Sequence, residues 1–368
     1  VHLYLHIPYC AAKCPYCDFN SIAGRDDEHT AYVEALLAEV ARLPRGPYAT
    51  VFIGGGTPTI LAPSLLARLL AGVRRCIDLA PGHEWTCEGN PGSADAERFA
   101  VLAEHGVNRI SLGVQSTHGH HLRFLGRVHD AADAERAIAA ACAAVPRVSA
   151  DLMFGLPGQS EAEVEADLGL YRRHGLGHAS VYHLAYEPGT EFHARRARGE
   201  MAEIDGDESR RLIDLVAERL AGLGLAAYET SNFARPGEEC RHNLAYWRLA
   251  DYHAAGAGAV STVAGERITR EKHPAAYIAA IRAGGDAAWR RERIDPRERL
   301  REAWMLGFRL AAGVDLALIA ALGDREARWR PLAQPLIDLG ALAEESGRLR
   351  LRPEFRHAQD DLTVRLMP

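Results

Sequence analysis

No stretch of this chain offers the ~18 consecutive uncharged apolar residues that a bilayer-spanning helix needs. No membrane span is therefore expected, and peripheral contact with a membrane surface stays open. Positive charge is not in excess either. The formal net charge is −6, which argues against a protein that mainly grips nucleic acid through its phosphates. Arginine is frequent but mixed with acids, and Arg290-Arg291-Glu292-Arg293 reads as a solvated face. A disulfide framework is missing. The 7 cysteines are odd in number, three crowd into positions 10–17, and Cys76, Cys87, Cys142 and Cys240 are scattered. That usage fits a reducing cytoplasm, with Cys76 and Cys142 read as core thiols. The apolar start, Val1 to Pro8, is interrupted too soon for a signal peptide. Internal repeats and low-complexity tracts are lacking as well.

What is present is the composition of an ordinary globular enzyme. Hydrophobic residues make up 48% and charged residues 25% of 368, enough for one large α/β domain and a smaller piece. Short β-like runs at 3–8, 50–53, 84–88, 109–114, 149–154 and 179–185 alternate with amphipathic stretches at 30–43, 63–77, 94–105, 131–144 and 161–174. In the first of these stretches Val33, Leu36, Leu37 and Val40 recur at helical spacing. Six β/α units in a row predict a parallel sheet with helices outside it. Six rather than eight predict a partial (β/α)6 barrel. A further helix is expected at 207–223, a polar segment at 232–240, and helix again at 298–310 before a small C-terminal α/β domain. The expected organisation is 1–235 for the barrel, 236–297 for a connecting segment and 298–368 for the C-terminal domain.

Parallel sheets place chemistry at the C-terminal ends of their strands. The unusual residues of this chain fall there. Cysteines follow the first run, Gly54-Gly55-Gly56 the second and Glu88-Gly89-Asn90-Pro91 the third. Gln115 ends the fourth, and Gly155-Leu156-Pro157-Gly158 follows the fifth.

Cys10-x-x-x-Cys14-x-x-Cys17 puts three thiols on one loop. Three soft ligands suit zinc or an iron–sulfur cluster. Structural zinc wants four ligands, usually from paired C-x-x-C units, and no second pair exists here. A [4Fe–4S] cube held by three cysteines keeps one iron open, and the amino and carboxylate groups of a methionine can fill that position. Tyr16 lies between the last two cysteines, where an aromatic could pack beside an adenine or simply fill the loop.

The segment Cys10-Ala11-Ala12-Lys13-Cys14-Pro15-Tyr16-Cys17 resembles the signature loop of the radical S-adenosylmethionine (SAM) superfamily. More narrowly, Tyr4-Leu5-His6-Ile7-Pro8-Tyr9-Cys10 through Cys17-Asp18-Phe19-Asn20 resembles the family of the oxygen-independent coproporphyrinogen III oxidase (HemN) and the heme chaperone HemW. The resemblance extends over roughly residues 3–310. It implies a [4Fe–4S] cluster on Cys10, Cys14 and Cys17, with SAM bound beside it. Gly55, Gly56 and Thr57 then resemble the motif that holds the SAM amino group, and Glu88 the acid near that ammonium. Gln115 and Asp151 resemble residues reaching the ribose, Arg127 the partner of the methionine carboxylate, and Tyr4 and Tyr16 further SAM contacts. Read singly, each would also suit a barrel-rim residue in an ordinary hydrogen bond.

Two features separate the family's members. The oxidase carries a further cysteine two positions after the third ligand, where this chain has Phe19, as the chaperones do. His242-Asn243-Leu244-Ala245-Tyr246-Trp247 matches the chaperones' H-N-x-x-Y-W motif, with Cys240 just before it. An imidazole or thiolate can ligate heme iron, and Tyr246 and Trp247 can line a flat macrocycle. Cys240 and His242 compete for the axial position. The same run would also suit a histidine capping a helix and aromatics packed on the barrel. Gly258-Ala259-Val260 departs from the chaperone pattern, which has histidine at its third position, and the tail from about residue 351 departs too. The resemblance thus implies a cytoplasmic protein that binds heme and delivers it to an acceptor hemoprotein, with an electron donor for the cluster. The alternatives are oxidative decarboxylation of porphyrinogen propionates, and radical chemistry on another substrate.

Overall fold

The computed structural model describes residues 1–324 and 326–366, so the expected span 298–368 is described except at Arg325, Met367 and Pro368. The chain opens with β1 (His2–Ile7), then β2 (Tyr9–Cys10) and β3 (Ile22–Ala23), which pair in parallel at the base of the cysteine loop. There follow α1 (His29–Val40), β4 (Tyr48–Gly55), α2 (Pro63–Cys76), β5 (Leu79–Gly89), α3 (Ala96–Glu104) and β6 (Arg109–Gln115). Next come α4 (Gly119–Phe124), α5 (Ala131–Ala144), β7 (Arg147–Phe154), α6 (Glu161–His174), β8 (His178–His183), α7 (Glu191–Ala197) and α8 (Gly206–Gly222). Then β9 (Ala226–Ala227), β10 (Asn232–Ala234), α9 (Arg241–Trp247), β11 (Tyr252–Ala255), β12 (Val260–Val263), β13 (Glu266–Arg270), α10 (Pro274–Arg282) and β14 (Ala288–Arg293) complete the large body.

Its sheet has the order β14-β13-β12-β11-β1-β4-β5-β6-β7-β8-β10-β9. From β11 through β1 to β8 every neighbouring pair is parallel. Among the described residues no pairing joins the two edges, so the barrel is open. The β/α starts follow from local chemistry. Asp130 and Ser160 each close a capping box, at the heads of α5 and α6, which satisfies N–H groups that have no partner within the helix.

Residues alternate along each barrel strand. Leu3, Leu5 and Ile7, Val51 and Ile53, and Ile110, Leu112 and Val114 share one buried core with Val33, Leu36 and Leu69 of the helices. The intervening positions, including His2, Tyr4, His6, Thr50, Glu84, Glu88, Arg109, Ser111 and Asp151, take the opposite, inner face. The interior of the sheet is thus lined largely with polar groups, several of them bonded to one another, while Thr86 Oγ1 and Arg109 Nη2 have no partner.

Residues 236–297 contribute β11 to β14 to this sheet, and Tyr277 and Ile281 of α10 to its core. Buried Glu39 of α1 ties them in: it accepts from Arg270 Nε at 2.8 Å, Tyr277 Oη at 2.7 Å and the Gly256 N–H at 2.9 Å. The segment at 232–240, expected to be polar, begins with the buried strand β10. Cys142, expected in the core, is exposed on α5, and Cys76 is half-buried.

The C-terminal body holds α11 (Pro296–Arg309), β15 (Val314–Asp315), α12 (Leu316–Ala321), α13 (Arg330–Asp338), β16 (Leu342–Glu345), β17 (Arg348–Leu351) and α14 (Gln359–Leu366). It packs around its own core of Trp304, Phe308, Trp329 and Leu349. No helix among the described residues is long and apolar enough to cross a membrane.

Candidate functional site

The cysteine loop leaves the C-terminal end of β1. Cys10, Cys14 and Cys17 are free and half-buried, and the Cys17 N–H donates to the Cys14 carbonyl at 3.1 Å, curling the loop. Each sulfur has its own donor. Thr57 Oγ1 lies 3.5 Å from Cys10 Sγ, Arg127 Nη1 lies 3.4 Å from Cys14 Sγ, and Lys13 Nζ lies 3.9 Å from Cys17 Sγ. Burial raises the Cys17 thiol, and the Phe19 backbone and then Lys13 oppose the rise. Phe19, two residues past the last cysteine, is an exposed apolar side chain at 61% exposure.

The glycines that end β4 form a cradle. The Gly55 N–H donates to Glu88 Oε2 at 3.0 Å. A Cβ on Gly54 would stand 2.6 Å from that oxygen, and one on Gly56 would stand 2.6 Å from the Tyr9 carbonyl. Gly55 itself has φ +107°, and a Cβ there would meet the His6 ring at 2.2 Å. Only glycine fits at these positions.

Two inner carboxylates lie beside this cradle, Glu88 on β5 and Asp151 on β7. Burial pushes the Glu88 carboxyl up to about 7, against the pull of the Gly55 N–H, and nearby Asp151 adds to the rise. Burial likewise raises Asp151 to about 6, while the Ser180 and Ser111 hydroxyls oppose it; Ser111 Oγ donates to it at 2.9 Å. Arg109 and Arg127 pull the same way as those hydroxyls, and burial outweighs them all.

Arg127 reaches the same place from the turn after α4. Its Nη2 donates to the Gly113 carbonyl at 2.6 Å, and its buried Nε has no partner. Gln115 is bent over Gly113 by a register slip in β6, with φ 71°. That is a rare conformation for a residue with a side chain, and such strain clusters at functional sites. Tyr16 stands beside Arg127 and Cys14, and burial raises its phenol. Its ring meets Phe192 at 6.3 Å. Tyr4 Oη is 3.0 Å from His6 Nδ1, and His6 Nε2 is 2.8 Å from the Asn20 carbonyl. The structure therefore brings Tyr4, Cys10, Cys14, Tyr16, Cys17, Gly55, Gly56, Thr57, Glu88, Gln115, Arg127 and Asp151 to one end of the barrel interior.

Cys240, His242 and Tyr246 lie deeper in the interior, the His242 ring 6.4 Å from that of Tyr4, while Trp247 packs under the Arg309 guanidinium. His242 is 1% exposed, with Nδ1 2.7 Å from Thr50 Oγ1 and Nε2 3.1 Å from Tyr246 Oη. Burial, then His2, lower its pKa to about 3. Thr50 is level with His2 near the start of the strands, four residues and so about 13 Å below Gly54 at strand rise. This is the barrel floor. Glu84, fully buried, accepts the backbone N–H of Arg241 at 3.2 Å and of His242 at 3.1 Å, capping α9 from a distant strand. Cys240 Sγ is 3.7 Å from the same carboxylate, and Arg109 and Arg147 approach it at 3.8 and 3.4 Å.

Several residues of the two ends escaped the sequence reading. His6 and Asn20 support the mouth; Asn20 Nδ2 also donates to the Ala257 and Lys272 carbonyls at 2.9 Å. Glu84 and Arg109 build the floor. Their signal was the alternation of polar with apolar letters along strands that also face helices.

The fold and the loop define the class: a radical SAM protein, whose cofactors are a [4Fe–4S] cluster and SAM. Residues 4–170 match the Radical SAM superfamily and residues 294–354 the HemN C-terminal domain. The chain is 38% identical over 354 residues to the heme chaperone HemW of Escherichia coli strain K12, covering 93% of this chain and 91% of that one. It is 37% identical to the heme chaperone HemW of Mycobacterium tuberculosis H37Rv, covering 91% and 88%. For that of Bacillus subtilis strain 168 the identity is 34%, covering 84% of each. The chain belongs to this HemW family. In structure it resembles the coproporphyrinogen III oxidase HemN of Escherichia coli, with a TM-score of 0.84, covering 100% of this chain and 89% of that one, at 21% identity; that likeness speaks for the fold.

The residues fit the two cofactors. Three thiols on one loop suit a cluster with one open iron, and a buried, unpartnered guanidinium N–H and a glycine cradle await an anionic and a cationic group.

Proposed function

We propose that this protein carries heme in the cytoplasm and delivers it to an acceptor hemoprotein. The observation that carries the reading is the match to proteins named heme chaperones at 34–38% identity over most of the chain. Exposed Phe19 beside the cluster loop agrees with it, since an apolar ring occupies the place of the oxidase's extra cysteine.

In this reading Cys10, Cys14 and Cys17 hold the cluster, which supplies one-electron reduction when bound and draws on an external electron donor. Glu88 and the Gly55 region orient the SAM amino group, Arg127 its carboxylate, and Asp151 and Gln115 its ribose. Tyr16 packs beside the adenine, and Tyr4 stays behind His6 as a wall contact. Cys240 and His242 serve as heme ligands only once α9 has left Glu84, because both are engaged at the floor; Tyr246 and Trp247 would move with them. Nucleic acid is no partner in this reading, in keeping with the net charge of −6.

The test is anaerobic reconstitution followed, on one sample, by heme titration and a coproporphyrinogen III turnover assay. Saturable heme binding without turnover is expected. Turnover without heme binding overturns the proposal.

A further inference from the structure

His120 and His121 stand side by side on α4, ring centroids 4.0 Å apart. Across from them is Glu163 of α6. His120 Nε2 lies 3.0 Å from Glu163 Oε1, and His121 Nε2 lies 3.6 Å from the same oxygen. All three candidate ligand atoms fall within 4.8 Å of one another. None of these residues belongs to the mouth or the floor described above.

The cluster is built rather than accidental. Glu163 Oε2 is occupied by the capping box of α6, accepting from Ser160 N and Ser160 Oγ at 2.8 Å each. This fixes the carboxylate and turns Oε1 toward the imidazoles. His121 is 3% exposed, and its Nε2 has no hydrogen-bond partner. A buried polar group without a partner is disfavoured, so a ligand that accepts its lone pair is favoured. Burial and the neighbouring His120 both lower the proton affinity of His121, leaving the neutral form that ligates metals.

We propose that His120 Nε2, His121 Nε2 and Glu163 Oε1 bind a borderline divalent cation of the zinc class. Two imidazoles and one carboxylate are a set that zinc accepts, with water in the fourth position. Tetrahedral bonds of 2.0–2.2 Å would set neighbouring ligand atoms about 3.4 Å apart, between the 3.0 and 3.6 Å observed. The His120 ring is 56% exposed and free to swing toward His121. Magnesium and calcium prefer oxygen-only sets and do not suit it. The cation would clamp α4 to α6. Because the Arg127 N–H donates to the Leu122 carbonyl of α4 at 2.9 Å, it would also brace the turn that carries Arg127. The site depends on neither the heme reading nor the cluster.

Cobalt(II) is the probe, added anaerobically to protein whose cysteine loop is already filled by its cluster, and then displaced by zinc. The expected result is one cobalt per chain, with the visible bands of a tetrahedral nitrogen–oxygen site and no thiolate charge-transfer band. His120→Ala removes an exposed ligand without opening the core and should weaken binding at least about tenfold. Glu163→Gln, which keeps an acceptor for Ser160, should do the same. Zinc should raise the melting midpoint of the wild type and not of His120→Ala. Unchanged cobalt affinity in His120→Ala, a thiolate band, or no cobalt signal at millimolar excess overturns the site.

Discussion

Glu88 Oε2 accepts the Gly55 N–H at 3.0 Å, and the side chain that Gly54 lacks would have stood 2.6 Å from the same oxygen. The carboxylate and the backbone thus define each other's place. Burial leaves Glu88 at about 7, so near neutral pH half of it is protonated. A SAM amino group donating its N–H there is held best by the ionised form. SAM affinity should therefore rise as pH climbs through 7, by roughly eightfold between pH 6 and pH 7.5 for a group that titrates there. Calorimetric titration of the cluster-loaded protein at several pH values checks this. Glu88→Gln should flatten the profile, and Glu88→Ala should weaken binding about 10- to 150-fold through a lost charge-assisted contact. A steep profile that persists in Glu88→Gln assigns the titration to another group.

The anaerobically purified protein should be brown and hold about four irons per chain. Replacing Cys10, Cys14 or Cys17 by alanine should abolish the cluster, measured by iron and sulfide analysis and absorbance. The same change at exposed Cys142 or half-buried Cys76 should leave it intact. Full iron content in any of the first three variants would remove the cluster from this loop.

Arg127 joins Cys14 to the Gly113 carbonyl and keeps one N–H unused. Arg127→Ala should weaken SAM about 10- to 150-fold. Arg127→Lys keeps the charge but loses the planar fork, so it should recover only part. Equilibrium dialysis with SAM measures both. Wild-type binding in Arg127→Ala would place the methionine carboxylate elsewhere.

Glu84 sits in the floor with Arg109, at 0% and 2% exposure, and caps α9. Glu84→Ala leaves the buried Arg109 guanidinium without its counter-charge and two helix N–H groups without their acceptor. The expected loss is about 3–5 kcal/mol, read from the urea midpoint. A loss within the range of surface substitutions would mean that α9 is held by its apolar contacts instead.

Much of the mouth was legible because chemistry and position coincided: unusual letters fell just after each β-like run, where a parallel sheet exposes its strand ends. The floor was not legible. Glu84, Arg109 and Thr50 are polar letters within strands, and only their meeting with α9 from residues 241–247 shows that they form one network. β11 was hidden for another reason. Tyr252-His253-Ala254-Ala255 has no β-branched residue, and its partner β1 lies some 250 residues away, beyond any local signal. The run His118-Gly119-His120-His121 matches no ligand spacing until α6 supplies Glu163 from across the fold.

The last expectation separates a heme carrier from an oxidase. Phe19 stands exposed where the oxidase pattern has cysteine, yet Val260, at the start of β12, departs from the chaperone pattern. If the protein is a carrier, it should bind heme and leave coproporphyrinogen III unconverted, even with SAM and reductant. Replacing Cys240 and His242 together should then shift the heme absorption bands, since the axial ligand tunes the iron. Single replacements decide less, because the remaining residue can step in. Both side chains are packed against Glu84 and Thr50, so the double variant should also lose stability. Its heme spectrum is therefore compared with that of Glu84→Ala, which disturbs the same floor while keeping both candidate ligands. Altered bands in the double variant alone identify ligation. Equal bands in the two variants and the wild type take the axial role away from residues 240–242. Protoporphyrinogen formed over many turnovers, with no saturable heme binding, would make the protein an oxidase.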